Sequence, residues 1–283
     1  MATLHEQIAR ARAALAAAGI DPSEASLDAE LLARFVLGWD RAHLLAALRD
    51  PAPDTFDDRF EPLVARRVRR EPVSLITGVR EFWGLDFEVT PDVLTPRPET
   101  ELIVEEAIAR LPRARAALIA DVGTGSGCLA VALATELRRA RFIATDISGP
   151  ALNVARRNAA RHGVATRIDF RRTDVLDGID DVFDVIVSNP PYVATAEADV
   201  LPIEVIGHEP PVALFGGADG LDVYRRLFVA AAARLAATGR LIVEVGYEQH
   251  DRVNALAKRH GWTLGHSRRD LQGIVRTLVL LRS

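Results

Sequence analysis

Apolar positions fall along the chain in two regimes. Up to about Arg70 they recur at helical spacing, as in LHEQIARARAALAAAGI and SLDAELLARFVLGW, on an Ala-, Leu- and Arg-rich background that predicts a small helical bundle. GIDPSEAS and RDPAPD interrupt it with Asp, Pro and Ser, where helices stop and restart, and Ser23 or Ser26 is the expected N-cap. PVSLITGVREFWGLDFEVTPDVL then shifts towards strand composition around Gly78 and Gly84, which predicts a hairpin or an extended linker. From about Glu99 short apolar runs alternate with helical patterns. AALIADVG, RFIATDI, RIDFRRTD, FDVIVSNPP and GRLIVEVG are candidate strands, separated by segments such as CLAVALATELRR and ALNVARRNAARHG. Alternation of this kind builds an α/β domain, a mainly parallel sheet with helices on both faces. The expected boundaries are 1–72 for the helical domain, 73–98 for the hairpin or linker and 99–283 for the sheet domain.

Composition narrows the picture without deciding it. The 283 residues, 49% of them hydrophobic, suit one large domain with an appendage. Lys+Arg 35 against Asp+Glu 39 gives a net charge of −4, which argues against a protein that grips nucleic acid by bulk electrostatics. No apolar run approaches the roughly 18–20 residues of a membrane span, MATLHEQIAR lacks the basic-then-apolar order of a signal peptide, and Cys128 is the single cysteine. A cytoplasmic protein with no membrane partner is expected. Seven histidines are scattered without ligand spacing, so no metal site is expected. RRVRR, Arg66 to Arg70, is either a solvated helix face or a surface for a protein or RNA partner.

In a parallel α/β sheet, ligands sit beyond the carboxyl ends of the strands. The first such end is DVGTGSG, where Gly123, Gly125 and Gly127, interleaved with Thr124 and Ser126, let the backbone turn sharply and approach a ligand. The second supplies Asp146, placed where a carboxylate accepts both hydroxyls of a ribose; the third supplies Asp174 for an adenine amino group and Val175 for packing on the ring. Taken singly, the glycines serve equally as a tight strand-to-helix turn and each Asp equally as a helix cap. Their succession, followed by SNPPY on the fourth strand end, is what favours a site. There Pro190 and Pro191 remove two backbone donors and fix φ, so the carbonyls of Asn189 and Pro190 are held without local partners.

The ordered set DVGTGSG, TDIS, TDVL and SNPPY resembles class I S-adenosylmethionine-dependent methyltransferases that act on planar amino groups. PVSLITGVREFWGLDFEVTPDVLTPRPETE before it and HEPPVALFGGADGLDVYRRL after it are similar to the family that methylates the glutamine side chain of peptide chain release factors, and the resemblance covers nearly the whole chain. It implies a Rossmann-like, mainly parallel seven-stranded sheet with an N-terminal helical domain. GWTLGHSRRD and GIVRTLVLLR should close the sheet as an antiparallel edge hairpin. It also implies S-adenosylmethionine held by Gly123 to Gly127, Asp146, Asp174, Val175 and Asn189, with S-adenosylhomocysteine as product. The implied substrate is the Gly-Gly-Gln loop of class I release factors, received by Asn189, Pro190, Pro191 and Tyr192, with the helical domain recognising the factor's body. Within TPRPETE, Arg97 and Glu99 are expected to border the cofactor, although Thr95 or Glu99 would equally serve to cap the following helix.

An amide nitrogen is a poor nucleophile because its lone pair is delocalised into the carbonyl. Two acceptors aimed at its two N–H bonds, the Asn189 side-chain oxygen and the Pro190 carbonyl, orient it and stabilise the positive charge that grows on it. Tyr192 is expected to stack on the planar group. The same set suits an adenine or guanine amino group, so a DNA or RNA amino methyltransferase is the alternative. A non-catalytic cofactor-binding scaffold is the third reading, though a scaffold has no need of NPPY.

Overall fold

A computed structural model describes residues 2–111 and 116–283. They form two compact units, one comprising the chain up to Gly78 with Pro202–His208, the other Val79–Leu201 with Glu209–Ser283.

The first unit contains helices α1 (Leu4–Ala17), α2 (Pro22–Leu37), α3 (Arg41–Ala46), α4 (Phe56–Val68) and α5 (Val73–Thr77) around a core that includes Leu4, Leu15, Leu32, Phe56 and Phe60. The N-cap of α2 is Asp21, in place of the expected Ser23 or Ser26. Pro22 occupies the first helical position, where its missing N–H is no loss, and the Asp21 carboxylate accepts from Ser23 N at 2.9 Å. Helix α5, ended by Gly78 in the left-handed conformation, occupies the start of the stretch expected to be hairpin or linker. The readings of RRVRR also need correction at its second position. Arg67 is 2% exposed, and its guanidinium donates to Asp28 at 2.7 Å, Glu24 at 2.8 Å and Glu204 at 3.2 Å. The helical period turns this position inward, where buried Asp28 supplies the counter-charge that a buried guanidinium requires.

The second unit opens with a hairpin, β1 (Val79–Phe82) and β2 (Leu85–Glu88), joined by Trp83 and Gly84, both at positive φ as a two-residue turn with matching twist demands. Then follow α6 (Glu101–Arg110), β3 (Leu118–Val122), α7 (Cys128–Glu136), β4 (Arg141–Asp146), α8 (Gly149–Arg161), β5 (Ile168–Arg172) and β6 (Phe183–Ser188). After α9 (Ile203–Ile206), whose segment belongs to the first unit, come α10 (Pro211–Leu214), α11 (Asp222–Arg234), β7 (Leu235–Glu244), α12 (His250–Arg259), β8 (Trp262–Arg269) and β9 (Val275–Arg282).

Among the described residues seven strands form one sheet in the order β5-β4-β3-β6-β7-β9-β8, parallel except for β9, which runs antiparallel to both β7 and β8 at the edge. Side chains alternate strictly. Ile119, Phe142, Val185, Val187 and Ile242 pack beneath α6 and α7, while Ala120, Ile143, Ile186, Leu241 and Val243 pack beneath α11 and α12. Strand order reverses between β3 and β6, the switch point at which such sheets open a crevice. Val122 pairs with Thr145 and Ser188, and Ser188 pairs with Val243. Gly123, Asp146, Asn189 and Glu244 each lie one residue beyond that row, so the register brings them side by side at the carboxyl edge. Among the described residues no helix is long and apolar enough to cross a membrane.

Candidate functional site

A cleft of about 220 Å³ opens at this edge, and Gly123, Thr124, Gly125, Ser126, Asp146, Asp174, Val175, Asn189, Pro190 and Pro191 all line it. Gly123 at φ 72° and Gly125 at φ 54° are left-handed, and a Cβ on either would meet nothing within 4 Å, so bare backbone faces open space there. The turn is pinned from below by Asp121, which is fully buried and accepts from Thr124 Oγ1 at 2.6 Å and Ala130 N at 3.1 Å. Burial pushes the Asp121 carboxyl up to about 7 against those two hydrogen bonds. Asp146 ties the neighbouring strand end to the turn, accepting from Gly125 N at 2.9 Å and from Ser148 N at 2.8 Å. Its carboxyl is raised by burial. Asp174 pairs with Arg226 at 3.2 Å, and the Val175 carbonyl is fixed by the Thr145 hydroxyl at 2.7 Å.

Asn189 is held by side chains from remote parts of the chain. Its Nδ2 donates to Thr100 Oγ1 at 3.1 Å, and the Thr100 hydroxyl donates to Glu244 Oε2 at 2.6 Å. Thr100 stands at the N-cap position of α6 but makes no capping bond with its side chain. Glu244 is 2% exposed; burial pushes its carboxyl up to about 7, with the Thr100 hydroxyl opposing the rise. Behind Asn189 the turn is gripped by glycines. A Cβ at Gly216 would lie 2.5 Å from the Pro191 carbonyl oxygen, one at Gly220 2.3 Å from that of Tyr192, and one at Gly246 2.9 Å from Tyr192 Cδ2. Gln249 Nε2 donates to the Tyr192 carbonyl at 2.7 Å. Nearby, Arg97 lines the cleft and donates to Glu209 at 2.7 Å, while Thr95 N donates to the other Glu209 oxygen at 3.3 Å. Burial raises the Glu209 carboxyl, and Arg97 counters it.

A family model described as "PrmC N-terminal domain" matches residues 6–78, and one described as "Methyltransferase small domain" matches residues 100–209. The "Release factor glutamine methyltransferase" of Cereibacter sphaeroides is 45% identical over 87% of this chain and 87% of its own length. The protein of the same name from Geobacter sulfurreducens is 42% identical over 98% and 95%. The chain belongs to the release factor glutamine methyltransferase family. A solved methyltransferase from Pyrococcus furiosus shares the fold at 18% identity and a TM-score of 0.54, covering 78% of this chain and 98% of that one.

Within this family member, the structure gathers most of the residues singled out from sequence into one cleft and leaves three outside its lining. Gly127 does not face it; at φ 83° it lets α7 pack on α8, where a Cβ would come within 3.0 Å of Ala155 Cβ. Tyr192 contributes its ring and carbonyl to the packing beside Gly246 and Gln249. Glu99 stands in the short 3₁₀ turn Pro98–Thr100, where neither it nor Thr95 caps α6, and its charge raises the Glu244 carboxyl. Thr100, Glu209, Glu244, Gln249 and the three glycines carry geometry that strand-end reading passed over. Glu244 did carry a signal: it is the charge at the carboxyl end of the otherwise apolar run LIVEVG, the position equivalent to Asp146 and Asn189 on their strands.

Proposed function

We propose that this chain transfers the methyl group of S-adenosylmethionine to the side-chain nitrogen of the glutamine in the Gly-Gly-Gln loop of class I peptide chain release factors, leaving S-adenosylhomocysteine. One observation carries the reading: the cleft lined by Gly123, Gly125 and Asp146 is also the one lined by Asn189 and Pro190. The names of the relatives from Cereibacter sphaeroides and Geobacter sulfurreducens supply the substrate class. A release factor substrate also puts the enzyme in the cytoplasm.

The residues present fit the cofactor. Open left-handed glycines admit its methionine portion against backbone, the Asp146 carboxylate suits ribose hydroxyls, and Asp174 with Val175 suits adenine. When bound, S-adenosylmethionine supplies a methyl group already activated on a positively charged sulfur, so the chain needs no nucleophile of its own. What the chain supplies is position. The Asn189 oxygen and the Pro190 carbonyl accept the two N–H bonds of the glutamine amide, aim its nitrogen, and strengthen as positive charge develops there. Pro190 and Pro191 hold that carbonyl still, and the ring of Tyr192 keeps the turn packed. The helical unit is assigned to recognition of the factor's body. A chain begun near Pro72 should then bind cofactor yet lose activity on intact factor.

The direct test is incubation with labelled S-adenosylmethionine and three acceptors: intact release factor, the same factor with its loop glutamine changed to alanine, and nucleic acid. Label on the first alone is expected. Label on nucleic acid, or undiminished label on the alanine variant, overturns the assignment.

A further inference from the structure

An asparagine amide has nearly the same shape in its two flipped orientations, but they differ in chemistry. One presents an acceptor to the cleft and the other presents two donors, which would repel the N–H bonds of an incoming amide. The hydrogen bonds behind Asn189 decide between them. An ionised carboxylate only accepts, so the single hydroxyl proton of Thr100 goes to Glu244 Oε2 at 2.6 Å. The hydroxyl is left with lone pairs for Asn189, which must answer with its Nδ2 at 3.1 Å and therefore turns Oδ1 the other way. Thr100 and Glu244 are each 2% exposed, so water does not supply a competing partner.

We propose that Glu244, acting through the Thr100 hydroxyl, is a positioning residue that locks the Asn189 amide with its oxygen presented to the substrate. The proposal rests on the reading of Asn189 as the acceptor for a planar amino group. The carboxylate sets the direction of the whole chain, and a protonated Glu244 can donate to Thr100 and reverse it. The charged and titratable groups facing Glu244 are Arg97 and Glu99 before α6, Cys128 at the start of α7, Tyr192 after β6, Tyr224 on α11 and Arg276 on β9. Arg97 and Arg276 favour the carboxylate, Glu99 opposes it, and burial dominates, placing the carboxyl at about 7. A folded value above the ordinary carboxylate range means the proton is kept to higher pH. The locked orientation is therefore about half formed at a pH near 7, approaches completion well above it and is lost as pH falls below it.

The test compares turnover of wild type, Thr100→Val, Thr100→Ser and Glu244→Gln, each with and without Asn189→Ala, on whichever amino acceptor takes label. Thr100→Val should lower kcat by about ten- to a hundredfold, as loss of an outer partner does at other oriented sites, with cofactor Kd and acceptor KM within a few-fold. Thr100→Ser should recover most of the loss. In the Asn189→Ala background Thr100→Val should change kcat by less than about twofold, because its partner is gone. The acid limb of the kcat profile near 7 should vanish in Glu244→Gln. Equal losses with and without Asn189, or an acid limb that survives Glu244→Gln, overturns the proposal. Should Thr100→Val fail to fold, the near-isosteric Glu244→Gln makes the same comparison. Label appearing on nucleic acid alone defeats the release factor reading while leaving these ratios measurable, so the two failures are distinguishable.

Discussion

The glycine turn after β3 and the Asn189 turn after β6 line the same cleft and are held by opposite means. The first is supported by its own neighbourhood: Asp121, Thr124, Ala130 and Asp146 lie within a few dozen residues of one another and meet through consecutive strand ends. The second is supported by Thr100, 89 residues before Asn189, by Gln249, 57 residues after Tyr192, and by Glu244 and three glycines spread between 216 and 246. The turn proposed to offer backbone to a cofactor needs only local sequence. The turn proposed to hold an acceptor in one orientation draws its rigidity from remote parts of the sheet domain.

If that contrast is sound, damage to the two turns should separate chemistry from binding. Asn189→Ala removes an acceptor that strengthens as charge develops, so turnover should fall by about 10²–10³ in steady-state assays with cofactor affinity within a few-fold. Asp146→Ala should do the reverse, weakening S-adenosylmethionine binding in calorimetry by about 1.5–3 kcal/mol per lost hydrogen bond to the carboxylate. It also frees Gly125 N and Ser148 N, so the turn should loosen with it. Equal effects of both variants on both quantities would erase the distinction.

Glycines sharpen the contrast at the level of stability. Gly123 and Gly220 both sit at positive φ, so alanine at either carries the cost of a left-handed side chain, about 1–2 kcal/mol. A Cβ at Gly123 meets nothing, whereas one at Gly220 lies 2.3 Å from the Tyr192 carbonyl oxygen, a backbone atom that cannot swing aside. Gly220→Ala should therefore be less stable than Gly123→Ala by about 1–3 kcal/mol in denaturant melts. A smaller loss at Gly220 than at Gly123 would mean that the Tyr192 turn is free to shift.

This asymmetry also explains what could be read without a structure. Alternating apolar runs gave away the parallel strands, because a sheet buried on both faces leaves continuous Val, Ile and Leu runs, whereas the edge hairpin was legible only through the family resemblance. DVGTGSG, Asp146 and Asn189 were legible because each ends such a run. Glu244 ends one too, but its partner Thr100 comes from before α6, and no spacing links residues 144 apart. Arg67 was misread for a related reason: the sequence of RRVRR does not show that Asp28, 39 residues earlier, is buried opposite it and takes its guanidinium. The N-cap at Asp21 was missed because Pro22 outranks the serines that follow as a marker of the first helical position.

The smallest expected effect lies at Tyr192. Its carbonyl takes the Gln249 amide at 2.7 Å and its ring fills the space that Gly246 leaves open, and both survive in Tyr192→Phe. Burial raises the phenol well above its ordinary value, so it stays neutral through the working pH range and has no charge to lose. Turnover of Tyr192→Phe should stay within about twofold of wild type, since under half a kcal/mol separates the two rates on that scale. Tyr192→Ala keeps the carbonyl but removes the packing against Gly246, so it should lower kcat and melting temperature together. A tenfold loss in Tyr192→Phe would instead place the hydroxyl in contact with substrate, and the Asn189 turn would then owe part of its action to a group that acts from within the cleft.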